Sequence, residues 1–230
     1  MINCYDDFVE ALLCAGFSMA GGRDDGIYAI IDWGWNEPPP YKTPVAWHTG
    51  KPETDPWEWR MRVLEERSDI AYAKLFFKKS GFITKKWYPY FLAARRDGLT
   101  FDEAYDGGTI SHFAKRIYDV VADGALPTHT IKQLGGFSRE DKAGFDRALT
   151  ELQMKMHLTM CGCQQKQTML GKEFAWASTV LTTTESFFGE SVFEEADSIS
   201  KEAAFEKIKE QILKLNPSVS DNKIKKFIYG

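Results

Sequence analysis

Cysteine is scarce in this chain of 230 residues: Cys4, Cys14, Cys161 and Cys163 are all it has. Four thiols placed so unevenly cannot frame a chain of this length, so a disulfide-stapled domain is excluded and reduced thiols are expected. A run of about 18 apolar residues is missing, and with it any membrane-spanning helix. The first residues, "MINCYDDFVEALLCAGF", carry acids where a secretory signal would carry Lys or Arg, so the expectation is a soluble, cytoplasmic protein with no membrane partner. A Gly-rich phosphate loop, G-x-S-x-G and H-E-x-x-H are also lacking, which removes the common enzyme signatures and gives no reason to expect a cofactor. Positive charge is not in excess either. With 29 Lys and Arg against 33 Asp and Glu, the net charge of −4 argues against a whole surface built for nucleic acid.

A local basic face survives that total. Between Glu58 and Arg96 ten bases stand against four acids, and Lys78, Lys79 and Lys85 are the candidates there for contact with phosphate. Apolar material is plentiful, at 43% hydrophobic and 14% aromatic, enough for one domain or two packed subdomains.

Periodicity and capping chemistry place the elements. Asn3 is positioned to cap a helix over 5–15, with Phe8, Leu12 and Ala15 on one stripe. "IYAIIDWGW" is a β-leaning run ended by the prolines of "NEPPP". Thr54 or Asp55 followed by Pro56 reads as a helix start, with Trp57, Met61 and Leu64 facing inward. "IAYAKLFF" and "GFIT" flank "KKS" as a hairpin, and a helix capped by Thr84 follows. "DGLTFDEAYDGG" is the best boundary between subdomains. Beyond it come a helix over 111–122, a short helix from Pro127-Thr128, a longer one opened by Ser138 and Asp141, and two strands joined by a polar loop. Helix, short helix, longer helix and ribbon is the order of a winged helix-turn-helix. The fold class expected is therefore α+β: a mixed N-terminal subdomain (1–105) packed on a winged-helix subdomain (109–183), with C-terminal helices (184–230). The tail helix carries an apolar stripe through Ala204, Ile208, Ile212 and Leu215, for packing within the chain or for a homodimer contact.

The stretches "GALPTHTIKQLGGFSREDKAGFDRALTELQMKMHLTMCG" and "EFAWASTVLTTTESFF", together with "WHTGKPETDPWEWR" and "AYAKLFFKKSGFITKKWYPYF", resemble the AlkZ-related bacterial proteins. They are more distantly similar to the AlkZ/YcaQ DNA glycosylases, which are built from tandem winged helices. The resemblance covers most of the chain and implies duplex DNA as a partner. It departs at the chemistry. Those glycosylases use a Gln-x-Gln or Gln-x-Asp motif in their N-terminal part to position water, whereas the one Gln-x-Gln here, Gln165-Lys166-Gln167, falls in the predicted wing.

Residues 47–60 gather three of the seven tryptophans with a histidine and three acids. Read as a pocket, Trp47, Trp57 or Trp59 stacks on a flat ligand such as an extruded base, while His48, Glu53 or Asp55 hydrogen-bonds or moves a proton. Read as structure, Asp55 caps a helix, Trp57 enters the core, and Trp47 and His48 cover its end. Lys142, Arg147, Lys155 and Lys166 are the cations of the third helix and wing that could reach phosphates. Acids interleave with them, as on any solvated face. His157, Cys161 and Cys163 have a spacing compatible with soft metal ligands, but no second Cys pair accompanies them, so no metal is assigned. Three functions stay open: a DNA-binding relative of the AlkZ-type glycosylases, a non-enzymatic winged-helix module for protein interaction or transcription, and a small-molecule enzyme using the cluster at 47–60.

Overall fold

In the computed structural model, which describes residues 1–167 and 173–230 and only the backbone of residues 166, 167 and 173–176, the chain opens with helix α1 (Tyr5–Ala15) and strand β1 (Phe17–Met19). Asn3 does not cap α1 with its side chain. Instead its backbone N–H donates to Asp7 Oδ2 at 2.8 Å. Gly16 ends the helix at a φ of 89°, and a Cβ there would lie 2.1 Å from Trp87 Cδ1. The left-handed turn and the close indole both require glycine. The β-leaning run after β1 makes no strand. Ala29 alone bridges Met19, and the Ile30 N–H donates to Ser18 Oγ rather than to a ladder partner. The segment still alternates, burying Ile27, Ala29, Ile31 and Trp33.

Helix α2 (Pro56–Glu66) leads into strands β2 (Ile70–Phe76) and β3 (Lys79–Thr84), then helix α3 (Tyr88–Arg96). The expected hairpin is present, with Phe76 opposite Lys79. Its period-2 alternation feeds two cores: Ala71, Ala73, Leu75 and Ile83 face one, while Ile70, Tyr72 and Phe82 face the other. Burial on both faces explains why "IAYAKLFF" reads as apolar sequence interrupted only at Lys74, the one half-buried position of β2. The turn joining the strands holds Phe77 and Lys78 at φ of 51° and 63°. Two-residue hairpins favour Asn-Gly at such positions, and each non-glycine residue there costs about 1–2 kcal/mol. Thr84 does not cap α3: it stays in β3 opposite Ile70, and the helix begins after Trp87 with no side-chain cap.

The expected boundary contains a helix, α4 (Phe101–Asp106), opened by a capping box between Thr100 and Glu103. There follow α5 (His112–Val121), β4 (Leu126–Pro127), α6 (Thr128–Leu134), α7 (Lys142–Met154), the ribbon β5 (Leu158–Gln167) and β6 (Glu173–Thr183), and then α8 (Thr184–Phe188), α9 (Glu190–Asp197), α10 (Lys201–Leu215) and α11 (Asp221–Tyr229). Ser111 is the side-chain cap of α5, accepting the Ala114 N–H, so the helix expected over 111–122 begins one residue later. Ser138 and Asp141 bond to each other in a turn ahead of α7, so that helix starts later than expected and leaves Arg139 outside it.

Among the described residues the strands form one antiparallel sheet in the order β1-β3-β2-β5-β6-β4. Tyr72 opposite Met160 joins the hairpin to the ribbon. The molecule is thus α+β, with a mixed set of helices around a single antiparallel sheet. Phe101, Ile117, Phe145, Leu152, Leu158 and Leu181 form a third core between α4–α7 and the ribbon. The stripe of α10 is used within the chain: Ala204, Ile208 and Ile212 are fully buried beside Phe227. No helix among the described residues is long and apolar enough to cross a membrane.

His157 lies at the edge of the third core, 2% exposed, its ring edge-on to Phe101 at 5.1 Å. Burial, reinforced by Arg96 and Lys155, pushes its pKa down to about 3. The unfolded chain takes up a proton near pH 6.5 while the folded imidazole stays neutral, so stability present above pH 6.5 is lost as pH falls toward 3. At pH 4.5 the expected loss is about 2 to 3 kcal/mol. Urea midpoints followed from pH 7 to 4.5 should drop less steeply in His157→Gln; parallel curves would count against the assignment.

Candidate functional site

Asp55 organises residues 47–60. Its buried carboxylate accepts the N–H groups of His48 (3.1 Å) and Trp57 (2.9 Å) on Oδ1 and those of Thr49 (2.6 Å) and Gly50 (2.8 Å) on Oδ2. It caps α2 and folds the preceding loop onto the helix, so its lone pairs are committed to the backbone and not to a water. Cap and proline set the helix phase, and that phase corrects one expectation. Pro56, Trp59, Val63 and Leu64 form the buried stripe with Met61 half-buried beside it, so Leu64 and Met61 face inward as expected and Trp57 does not. Trp59 is fully buried, donating from Nε1 to Pro52 O at 2.9 Å, so it belongs to the core and not to a pocket.

Trp57, displaced from the core, turns outward and meets two other rings. Its centroid is 6.2 Å from Trp35 and 4.9 Å from His48, and Trp35 lies 6.5 Å from Trp47. The Arg60 guanidinium covers one face of Trp57 at 3.4 Å, whereas Trp35 is 58% exposed and is the freest of the indoles. Gly21 and Gly22 make room behind them. A Cβ at Gly22 would lie 2.5 Å from Trp35 Nε1, and one at Gly21 2.8 Å from Trp47 Cη2.

Trp35 and Trp57 border a surface cleft of about 610 Å³ that is also lined by Lys74, Lys78 and Lys79 from the hairpin, within the size range of small-ligand sites. Its other charged groups are already paired: Arg23 with Glu37 at 3.2 Å, and Lys79 with Asp25 at 2.7 Å. Among the described residues Lys74 and Lys78 have no ion-pair partner, which leaves two uncompensated positive charges in a cleft lined by two indoles. A flat ring bearing an anion fits that combination.

The remaining expectations divide. Lys78 and Lys79 reach the cleft, while Lys85 is exposed in the turn after β3 and lines none of it. His48 is exposed behind the two indoles, and Glu53 is exposed on the loop; neither lines the cleft. Trp47 is half-buried, its Nε1 enclosed without a partner. Lys142 and Arg147 are exposed on α7. Lys155 is occupied, donating to Thr109 O beside Glu151. The Lys166 side chain lies outside the described residues. His157 is buried while Cys163 is exposed, and the described residues hold no cluster of three metal-ligating side chains. Sequence reading missed Trp35, Asn36 and Lys74 as cleft residues. A signal for Trp35 existed in its neighbours: an indole flanked by Gly34 and Asn36, in a loop that cannot form a core strand.

Fold and site together define an α+β protein with an aromatic, cationic surface cleft. The chain belongs to the AlkZ-related family, which it matches over residues 2–229. Among solved structures it is similar to the Streptomyces sahachiroi DNA glycosylase AlkZ, at 11% identity and a TM-score of 0.40, over 76% of this chain and 50% of that one. It thus spans about half the length of that glycosylase. No curated protein matches the sequence.

Proposed function

We propose that the chain binds DNA, holding one unstacked base in the Trp35–Trp57 cleft, with residues 109–183 acting as a winged helix laid against duplex. The cleft carries the reading. Exposed indoles and uncompensated lysines lining one cleft supply the two attractions that hold nucleic acid without sequence readout, namely stacking on any base and charge on its backbone. The order α5, α6, α7 and ribbon supports the winged-helix assignment, and the exposed Lys142 and Arg147 give α7 cations for phosphate contact. Membership of the AlkZ-related family fits nucleic acid as the ligand. No hydrolytic role is assigned, because Asp55 is spent on backbone N–H groups and Glu53 and His48 stand outside the cleft.

The test is fluorescence anisotropy with a labelled duplex containing one mismatched pair, across a salt series. Binding at about 50 mM salt, weakening as salt rises, is expected, since phosphate contacts release counterions. Trp35→Ala should weaken it roughly 10-fold, the effect of losing one stacked base at about 1–3 kcal/mol. A wild-type protein that binds no DNA at about 50 mM salt would overturn the proposal.

A further inference from the structure

The turn at Phe77-Lys78 is anomalous in a way that points at the cleft. Both residues are left-handed, a conformation suited to glycine or asparagine. Phe77 has a packing reason to be there, since its ring lies 6.1 Å from Phe227 at the margin of the first core. Lys78 has none: it is exposed and has no ion-pair partner among the described residues. Non-glycine residues held in sparsely populated backbone conformations cluster where function keeps them, and the inference runs from the observed outlier to the role. The cleft provides the role, because its acids Asp25 and Glu37 are already matched by Lys79 and Arg23. Lys74 and Lys78 are the charges left for a ligand, and lysine serves phosphate as a compact point charge.

Resting on the reading of the cleft as a nucleic-acid site, we propose that its occupant is an unpaired nucleotide, with the base stacked on Trp35 and the phosphate held by Lys78 with Lys74. The requirement for an unpaired base follows from stacking. Trp35 needs a bare π-face, which an intact duplex covers on both sides and a single strand presents. The strained turn sets Lys78 on the lining of the same cleft as that indole, so the residue positions the ligand at the expense of its own hairpin.

Lys78→Gly separates these effects because it relieves the turn while deleting the charge. Its Tm should rise by about 2–4 °C. Tryptophan quenching by a single-stranded 10-mer should nevertheless weaken several-fold, with the slope of log affinity against log salt shallower by about 0.7. Lys78→Arg should retain the binding, and a blunt duplex of the same sequence should compete poorly. Deoxyadenosine monophosphate quenching more strongly than deoxyadenosine, by a margin lost in Lys78→Gly, identifies the phosphate as the group held. The proposal is overturned if Lys78→Gly binds the single strand as wild type does, if its Tm falls, or if duplex and single strand compete equally while wild type still binds DNA. Failure of wild type to bind any of these probes overturns the broader DNA-binding reading as well.

Discussion

Asp55→Ala is expected to lower the free energy of unfolding by about 3 to 5 kcal/mol, because it uncovers four backbone N–H groups at once. An ordinary N-cap replacement costs about 1 kcal/mol, since one donor loses its partner and water takes its place. Here the carboxylate is fully buried and its removal also frees the loop 47–54 from α2. At about 2–4 °C for each kcal/mol in a chain of this size, Tm should fall by roughly 10 °C. Asp55→Asn keeps one acceptor oxygen but turns an amide NH₂ toward N–H donors, so it should fall between wild type and alanine. Urea unfolding followed by tryptophan fluorescence measures both variants. An alanine variant within about 1 kcal/mol of wild type would show that the four hydrogen bonds are replaceable. The loop carries Trp47 and His48 against Trp35 and Trp57, so the variant should also alter ligand-induced quenching beyond its effect on stability.

Arg95→Leu is expected to cost about 3 to 5 kcal/mol, for a related reason seen from the donor side. Its guanidinium donates to Leu75 O (2.8 Å) at the end of β2, to Met154 O (2.8 Å) at the end of α7, and to Phe227 O (2.8 Å) and Ile228 O (2.7 Å) in α11. Burial pulls its pKa down to about 9, which still leaves the group cationic at neutral pH. One side chain therefore fastens the hairpin, the third-core helix and the C-terminal helix to one another. Lysine cannot reproduce it, because the carbonyls lie in several directions and the ammonium lacks the planar fork of donors. Hydrogen exchange over Asp221–Tyr229 should rise more than elsewhere in Arg95→Leu and Arg95→Lys. Uniform exchange together with an unchanged urea midpoint would show that α11 is held by its apolar contacts alone.

Arg95 also shows how far the sequence misleads about charge. The basic excess between Glu58 and Arg96 reads as one face for phosphate, yet the fold scatters it. Arg60 lies on Trp57, Arg62 pairs with Glu66, Arg67 with Asp69 and Arg96 with Glu185, while Arg95 is enclosed. Lys74 and Lys78 keep their charge for the cleft. A charge count along the chain cannot see partners brought in from the loop 20–37 or from α8, and such partners decide which cations stay available.

Local chemistry was legible where nearest neighbours fix the outcome. The start of α2 at Pro56, the helix α5, the hairpin and the apolar stripe of α10 all follow from spacing and capping within a few residues. Which tryptophan of α2 enters the core was not legible, because Trp57 and Trp59 both stand at helical spacing from apolar neighbours, and only packing on Phe8 and Tyr5 selects Trp59. By itself the sequence determined an α+β chain with these helices, this hairpin and a capped aromatic segment, since each rests on short-range periodicity and hydrogen bonding. Tertiary structure alone decided that Trp35, Trp57, Lys74 and Lys78 face one cleft. Their meeting depends on where a loop, a helix start and a hairpin turn converge, and on which neighbouring charges are neutralised there.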